Sequence, residues 1–444
     1  MTDEAPNVVK ASPTKDLFVS TLVRDIPIDR AILDLIDNCI DGAKRLRKTG
    51  RLDGLSVEIT ANKGEFRIKD NCGGIPLELA RNYAFRFGRP VGMPKTPHSV
   101  GQFGVGMKRA LFKLGNKFSV DSVASHSRFK MSLDVEVWKS KTDAEGKEDW
   151  TFPLDSSEDV EAEIPAAEWG TTISVTQLNR SVSAEFELSN FISKLDAEIG
   201  TTQELHIENG LSIRLNGTSI GSRPRLLAQS KLVRPTYIKF SVNGTGSSVN
   251  VRLYAGVTNE ERTEFADAGW YIFCNDRLIV GADQTEATGW SETKFHPTFN
   301  RFRGFAFLDC EDASRLPWNT MKSGLDVSSA IYAGIRIEIV NATRPVLSFL
   351  TDFAKETAES AGELPLHEAL SNASMVPLLS IVENKRFLAP SSTWKPKKPP
   401  RMQWVRFQKP RTEVDSVKKA LGVASVSDAG AGAFDYFYQH ECND

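Results

Sequence analysis

The stretch AILDLIDNCIDGA, residues 31–43, repeats two kinds of side chain with the same helical period. Leucine and isoleucine recur every three or four residues on one face, which predicts an amphipathic helix within residues 27–48. The other face is unusually acidic, and its polar residues are Asp34, Asp37, Asn38 and Asp41. Outward from this helix, residues 55–61 and 65–70 alternate in polarity and predict two strands joined by an Asn-Lys-Gly turn.

Two residues of the acidic face carry chemistry that a phosphate site needs. Asp34 and Asn38 are four apart, so both side chains can enter one pocket. Mg²⁺ prefers oxygen ligands and keeps several waters, so one amide oxygen together with substrate phosphates can hold it, and Asn38 is the predicted metal ligand. Asp34 can orient or deprotonate a water in line with a γ-phosphate. A solvated acidic helix face is the alternative reading of the same residues.

A second stretch, IKDNCGGIP at residues 68–76, places an acid where a strand ends. The Asp70 carboxylate can accept a hydrogen bond from an exocyclic amine such as that of adenine. Gly73 and Gly74 leave room for the backbone to approach a ring closely. Read alone, this stretch is equally compatible with a simple turn.

A third stretch, GQFGVGMKRA at residues 101–110, lies in a glycine-rich segment that predicts a long loop followed by a helix from about Met107. Exposed amides at the start of a helix bind phosphate, and glycines remove side chains that would block its approach. The spacing is not that of a P-loop. The residues predicted to contact phosphate are Gly101, Gln102, Phe103, Gly104, Val105, Gly106, Met107 and Lys108.

In this order, the three stretches resemble the N, G1 and G2 motifs of the GHKL superfamily, which includes gyrase B subunits, the ninety-kilodalton heat-shock chaperone, MutL-type proteins, histidine kinases and MORC proteins. WGTTIS, residues 169–174, resembles the fourth motif, in which Thr171 holds the adenine side of the pocket. The resemblance implies an α+β Bergerat fold, with helices over a mixed, largely antiparallel sheet. It implies that Asp34 is the general base, that Asn38 binds Mg²⁺ and that Asp70 binds adenine. It also implies that Asp41 and Gly74 contact the nucleotide and that residues 88–108 form the ATP lid.

Two positions depart from the family pattern. Asp34 stands where glutamate is usual, and its side chain is one methylene shorter, so the sequence predicts slow hydrolysis. The alternative is a protein that binds nucleotide without hydrolysing it. Cys72 replaces a glycine of the G1 motif and is small enough to be tolerated. Lys108, in GxxGxGxK, resembles the lid of the MORC and MutL-like branches. Because no histidine precedes the motifs in a two-helix dimerisation pattern, a histidine kinase is disfavoured.

The resemblance continues beyond the fourth motif. GWYIFCNDRLIVG, residues 269–281, and LPWNTMKSGLD, residues 316–326, are similar to transducer domains that follow the ATPase domain in the gyrase, MutL and MORC branches. There a loop lysine reaches the γ-phosphate, and Lys322 is its counterpart here. A cation at that point stabilises charge that develops on the transferred phosphoryl group.

The chain is long enough for several domains, because single cores rarely exceed about 250 to 300 residues. The sequence predicts four parts: an irregular amino-terminal arm at residues 1–24, an ATPase domain at 25–180, a transducer-like α+β domain at 181–361 and a carboxyl-terminal extension at 362–444.

The net charge of −2 gives the molecule no overall attraction to nucleic acid. The sequence has neither a leader pattern nor an apolar run of roughly 18 residues, which predicts a cytoplasmic protein. Its five cysteines have no CxxC spacing and are expected to be free thiols, mostly buried.

The carboxyl-terminal extension contains a basic, proline-rich segment, residues 383–411, with nine Lys or Arg against one acid. Such composition predicts an extended or poorly ordered chain that could contact DNA or pack on the preceding domain. The apolar FDYFYQ near the terminus follows a glycine-rich linker and is a candidate docking segment. By analogy, the sequence predicts an ATP-dependent homodimer that closes on a DNA or protein partner, with the amino-terminal arm crossing to the second protomer.

Overall fold

The computed structural model describes residues 13–47, 50–88, 96–101, 104–222, 224–243, 247–260, 263–290, 294–359, 364–391 and 402–442. The chain divides into two compact units, residues 1–394 and 395–444, which are described separately. None of the described helices is long and apolar enough to cross a membrane.

The first half of the larger unit is an eight-stranded sheet covered by helices. The sheet order is β5-β4-β3-β6-β2-β1-β7-β8, and each neighbouring pair is antiparallel except β1 and β7. The α+β class predicted from the sequence is therefore confirmed. The elements are α1 Lys15–Arg24, α2 Ile28–Leu46, β1 Ser56–Ala61, β2 Phe66–Asp70, α3 Leu77–Leu79 with a π-helical turn Ala80–Ala84, α4 Gly106–Leu114, β3 Gly115–Ala124, β4 Ser127–Asp134, α5 Val135–Ser140, β5 Ser156–Asp159, β6 Gly170–Leu178, α6 Arg180–Glu187, α7 Ser189–Thr202, α8 Glu204–Glu208, β7 Ser212–Leu215 and β8 Thr218–Ser219.

The helix α2 is buried along most of its length, because its apolar face packs into the core and its acidic face is covered as well. Leu33, Ile36 and Ile40 are fully buried, and burying each such side chain stabilises the fold by about 1.5–3 kcal/mol. The helix α4 packs beside α2. This packing turns the polar face of α2 toward the start of α4 and away from the apolar core.

The second half of the larger unit is a five-stranded sheet under one long helix. The sheet order is β10-β11-β14-β12-β13, with β12 and β14 parallel and the other pairs antiparallel. The helix α9 buries Tyr332, Ile335 and Ile339 against this sheet. The elements are β9 Leu226–Gln229, β10 Thr236–Val242, β11 Val249–Val257, β12 Gly269–Cys274, β13 Arg277–Asp283, β14 Phe302–Asp309, α9 Ala330–Glu359, α10 Pro365–Ser371 and β15 Ser374–Pro377.

The boundary predicted at residue 180 is wrong. The helices α6 and α7 pack into the core of the first sheet, and β7 pairs with β1 in parallel register, Ser56 opposite Ser212. The first sheet therefore continues to β8, and the second sheet begins only after residue 220. The pairing of β7 with β1 joins residues far apart in sequence, and no local pattern encodes it.

The amino-terminal arm was predicted to be irregular, and for its described part this is wrong. The chain forms α1 there, with Thr14 capping its first turn. Phe18 packs edge-on against Phe87 and Trp150, and the buried Lys15 donates to the backbone carbonyl of Trp138 at 2.6 Å. This helix lies on its own domain. The first 12 residues lie outside the described part of the chain.

The residues after β4 form α5, because Asp134 caps the amides of Glu136 and Val137. Residues 384 and 388 of the segment 383–411 pair with the chain at residues 237 and 234, so this part packs on the preceding domain, which is one of the two predicted alternatives. The prediction of a glycine-rich linker before FDYFYQ is wrong, because these glycines lie inside the second helix of the smaller unit. The elements of that unit are α11 Arg411–Leu421 and α12 Val426–Glu441.

Candidate functional site

A cavity of about 1390 Å³, counting its open mouth, lies between α2, the end of β2, β6 and the start of α4. Ligand sites are typically concave pockets of this kind with a few convergent polar groups. Its lining includes every predicted site residue that the structure describes: Asp34, Asn38, Asp41, Asp70, Gly74, Gly101, Gly104, Val105, Gly106, Met107, Lys108, Thr171 and Lys322. Gln102 and Phe103 lie outside the described residues. Segments distant in sequence thus share one cavity.

Asp34 lies at the inner end of this cavity with a cation on each carboxylate oxygen. Its Oδ2 accepts a hydrogen bond from Nη2 of Arg109 at 2.6 Å, and its Oδ1 accepts one from Nζ of Lys322 at 3.3 Å. The carboxylate is almost fully buried, at 3% exposure. In this arrangement each carboxylate oxygen is engaged by a cation, so the carboxylate is masked.

Asp37, one turn along α2, joins the two sheets through a buried ion cluster. The N–H of Arg277 Nε is shared between both oxygens of the Asp37 carboxylate, each at 2.9 Å. The carboxylate also accepts a hydrogen bond from Lys322 Nζ at 2.6 Å and one from Gln203 Nε2 at 2.9 Å. Burial alone would raise the pKa of Asp37, but the charges of Arg277 and Lys322 outweigh it and lower the pKa to about 2. The first sheet is therefore fastened to the second through a carboxylate beside the cavity.

Asn38 faces the open part of the cavity. Its Nδ2 donates to the backbone carbonyl of Asp34 at 2.9 Å, so Oδ1 is the atom left to coordinate a cation. An exposed amide oxygen beside a phosphate-sized opening fits Mg²⁺, which takes its other ligands from waters and phosphates. Within the described ranges, no three acidic, histidine or cysteine side chains cluster as a metal site. A single amide oxygen such as that of Asn38 suits a metal whose other ligands are waters and substrate phosphates.

Asp41 holds the loop that precedes α4. Its two oxygens accept the backbone amides of Val100 and Gly101, both at 2.7 Å. Burial raises the pKa of Asp41, and these two hydrogen bonds only partly offset the effect. A Cβ atom at Gly101 would lie 2.8 Å from Asp41 Oδ2, which explains why a glycine is needed there. Asp41 therefore holds the loop backbone and also lines the cavity.

Asp70 lies opposite Thr171 at the end of the β2 and β6 pair. Burial raises the pKa of Asp70, while a hydrogen bond from the Cys72 amide at 2.8 Å opposes the shift. The Thr171 hydroxyl lies 3.0 Å from that of Ser122. Gly74 has a φ of +66° and packs against β3 so closely that a Cβ atom would lie 2.0 Å from the carbonyl oxygen of Val123.

Lys108 is buried beneath the start of α4. Its Nζ donates to the backbone carbonyl of Ala84 at 3.0 Å and to that of Gly104. Burial lowers the pKa of Lys108 to about 7. Gly106 packs directly on the inner carboxylate, since a Cβ there would lie 3.3 Å from Asp34 Oδ2. The first turn of α4 therefore lies between the Asp34 carboxylate and the buried side chain of Lys108, whose pKa is near 7.

Sequence reasoning missed several residues that shape this site. Asp37 was seen only as part of the acidic face, and Arg109 and Arg277 were not singled out. Their roles depend on contacts between distant segments, which spacing alone does not reveal. Cys39 was counted only as a buried thiol, yet it lines the cavity next to Cys72. Burial raises the pKa of both thiols; all five cysteines are free, and only Cys442 is exposed.

The fold and the cavity together define a class of protein. A mixed sheet carries an acidic helix, an aspartate at a strand end and a glycine loop that opens a helix, and all three line the same cavity. Exposed amides at a helix start suit phosphate, and the strand-end carboxylate suits an amine.

Residues 26–163 match the family model described as "Histidine kinase-, DNA gyrase B-, and HSP90-like ATPase". This segment is therefore a GHKL-type ATPase domain, and the superfamily inferred from the motifs is confirmed. The match does not separate the MORC-like from the MutL-like branch, so that finer assignment stays a prediction. A search of curated proteins finds no match to the chain.

Proposed function

We propose that this chain binds ATP with Mg²⁺ in the cavity beside α2 and hydrolyses the γ-phosphate. The observation that carries the proposal is the convergence of the acidic helix, Asp70 and the start of α4 on one cavity. Asp70 receives the adenine amine, with Thr171 beside it. Asn38 contributes its Oδ1 to Mg²⁺, which when bound neutralises charge on the phosphates. The glycine loop and Lys108 bind the phosphates.

Hydrolysis requires a base and a stabiliser of the developing negative charge. Asp34 accepts a proton from water once one of its oxygens is released from its cations. Lys322 leaves Asp34 and Asp37 for the γ-phosphate, where its charge stabilises the transition state. The same movement unmasks the base, so turnover starts only when a triphosphate is present.

ATP binding would also change the position of the second sheet relative to the first. Lys322 lies in a loop of the second half and is held by α2, and its own φ is +51°. A ligand that draws Lys322 away favours a second arrangement of the two sheets. We propose that this arrangement closes a homodimer, as the sequence predicts, with hydrolysis restoring the open state.

Turnover and binding by purified protein test the proposal. Asp34→Asn is expected to lower phosphate release at least about 100-fold, the usual contribution of a general base. Asn38→Ala is expected to lower phosphate release as well and to raise the Mg²⁺ concentration that turnover needs, because the metal loses its protein ligand. Asp159→Asn, an exposed carboxylate at the sheet edge, serves as the matched control and should turn over like the wild type. Phosphate release that both site variants retain would refute hydrolysis in this cavity. ATP binding without any turnover would support the non-hydrolysing alternative.

Nucleic acid is the second candidate partner, favoured by residues 402–409. Trp404 is 86% exposed, and the Arg406 guanidinium lies 5.6 Å from its ring centroid. Exposed aromatic rings interleaved with cations can stack on bases and contact phosphates. Triple substitution of Trp404, Arg406 and Lys409 by alanine should weaken DNA binding and reduce its salt dependence in filter binding. Equal binding by the variant and the wild type would remove this segment as a DNA site.

A further inference from the structure

Arg109 follows Lys108 in the first turn of α4 and lines the same cavity. Its side chain is nine-tenths buried, and its Nη2 lies 2.6 Å from Oδ2 of Asp34. Within the described part of the chain, Arg109 Nε has no hydrogen-bond partner. A buried guanidinium with one short contact to a carboxylate is a costly arrangement unless that contact is needed.

The two cations on Asp34 differ in origin and in strength of contact. Arg109 comes from α4, which packs directly beside α2 in the same domain. Lys322 comes from the second half of the chain, and its shorter contact, 2.6 Å, is with Asp37 rather than with Asp34, at 3.3 Å. When Lys322 moves, Oδ1 of Asp34 is released while Oδ2 stays bound.

We propose that Arg109 is a positioning residue that holds Asp34 by Oδ2 and presents Oδ1 to the attacking water. The inference rests on the proposed ATP hydrolysis and adds a residue to it. It also explains how the shorter aspartate can serve: the guanidinium of Arg109 binds Oδ2, and Gly106 leaves so little space that a Cβ there would lie 3.3 Å from the same oxygen, so the carboxylate has a fixed orientation.

The reaction balances without a further reagent. The water oxygen bonds to the γ-phosphorus as its proton passes to Oδ1 of Asp34. The bond between that phosphorus and the bridging oxygen breaks, and ADP keeps the electron pair. The proton then leaves Asp34 for the phosphate product or for solvent. Arg109 stays on Oδ2 throughout and neither gains nor loses a proton.

The test compares Arg109→Gln, Arg109→Lys and the control Lys113→Gln, which changes a cation of α4 that bonds the carbonyl of Val23 among the described residues. We expect Arg109→Gln to lower kcat about 10- to 100-fold while ATP Kd changes less than about threefold. A loss confined to kcat distinguishes a positioning role from a general loss of the pocket, which would weaken ATP binding as well. Arg109→Lys should restore only part of kcat, since lysine keeps the charge but lacks the planar fork.

Each result decides the question. An unchanged kcat in Arg109→Gln, or a rise in ATP Kd as large as the fall in kcat, would overturn the role of Arg109 while wild-type turnover left the proposed function standing. If Arg109→Gln does not fold, Arg109→Lys keeps the buried charge, and wild-type kcat in that variant would overturn the inference. Absence of turnover in the wild type would overturn both the inference and the hydrolytic function.

Discussion

Replacing Arg277 with methionine removes the cation that bonds both oxygens of Asp37. The two side chains are at most 1% exposed, so the variant leaves a buried carboxylate without its arginine partner. Breaking a buried ion pair costs about 3–5 kcal/mol. Here Lys322 at 2.6 Å and Gln203 at 2.9 Å remain on Asp37. We therefore expect a loss near the lower end, about 3 kcal/mol in the free energy of unfolding at pH 7.

The pH dependence of that loss provides a second check. The pKa of Asp37 is lowered to about 2 from its ordinary value of 3.8. Because a depressed carboxyl pKa stabilises the folded state above the unfolded pKa, this contribution is present at pH 7 and fades between about pH 4 and pH 2. The gap between Arg277→Met and the wild type should narrow over that window in urea unfolding monitored by circular dichroism.

Two controls make the result interpretable. Arg252→Met removes a partly exposed partner of Asp309 in the same sheet and should cost less than about 1 kcal/mol. Combining Asp37→Leu with Arg277→Leu removes both charges and should cost less than either single change. A loss below about 1 kcal/mol for Arg277→Met, or a loss that is constant from pH 7 to pH 3, would refute the cluster as a fastening between the sheets.

Three further outcomes follow from the cavity. Gly74→Ala should abolish ATP binding in a thermal-shift assay, because the backbone of β3 leaves no space for its Cβ; retained binding would contradict this. With its pKa near 7, Lys108 becomes neutral above that pH, so ATP affinity should fall from pH 7 to pH 9 by calorimetry and should lose this slope in Lys108→Met. Iodoacetamide should label Cys442 well before Cys39 and Cys72, by mass spectrometry, since burial raises the pKa of the last two thiols; equal rates would argue against that burial.

The parts of the fold that were predictable from sequence are those with a local cause. The period of α2, the alternation of β1 and β2, and the glycines before α4 each act within about ten residues, and the structure has these elements where they were expected. The convergence of motifs on one cavity followed from the resemblance rather than from spacing. The glycines of α12 led to the wrong prediction of a linker, because Ser425 caps a helix that continues through Gly430 and Gly432.

The parts that were not predictable depend on pairing between distant segments. Arg277 is 240 residues from Asp37, and Lys322 is 285 residues from it. Such partners have no common periodicity, and an arginine at the start of a strand gives no local indication that it will be buried on a carboxylate. The extension of the first sheet through β7 is of the same kind, because parallel pairing brings together strands from opposite ends of the sequence that forms this sheet.

The charges around the cavity suggest why the second sheet matters to a nucleotide. Two carboxylates, Asp34 and Asp37, face three cations, Arg109, Arg277 and Lys322. The cluster therefore has one positive charge in excess, which an anionic phosphate would balance. Two of the three cations come from the second half of the chain. Under the proposed function, ATP affinity and the position of that half are thermodynamically linked. If the contact with Lys322 raises ATP affinity, then ATP stabilises the position of the Lys322 loop that makes this contact by the same free energy.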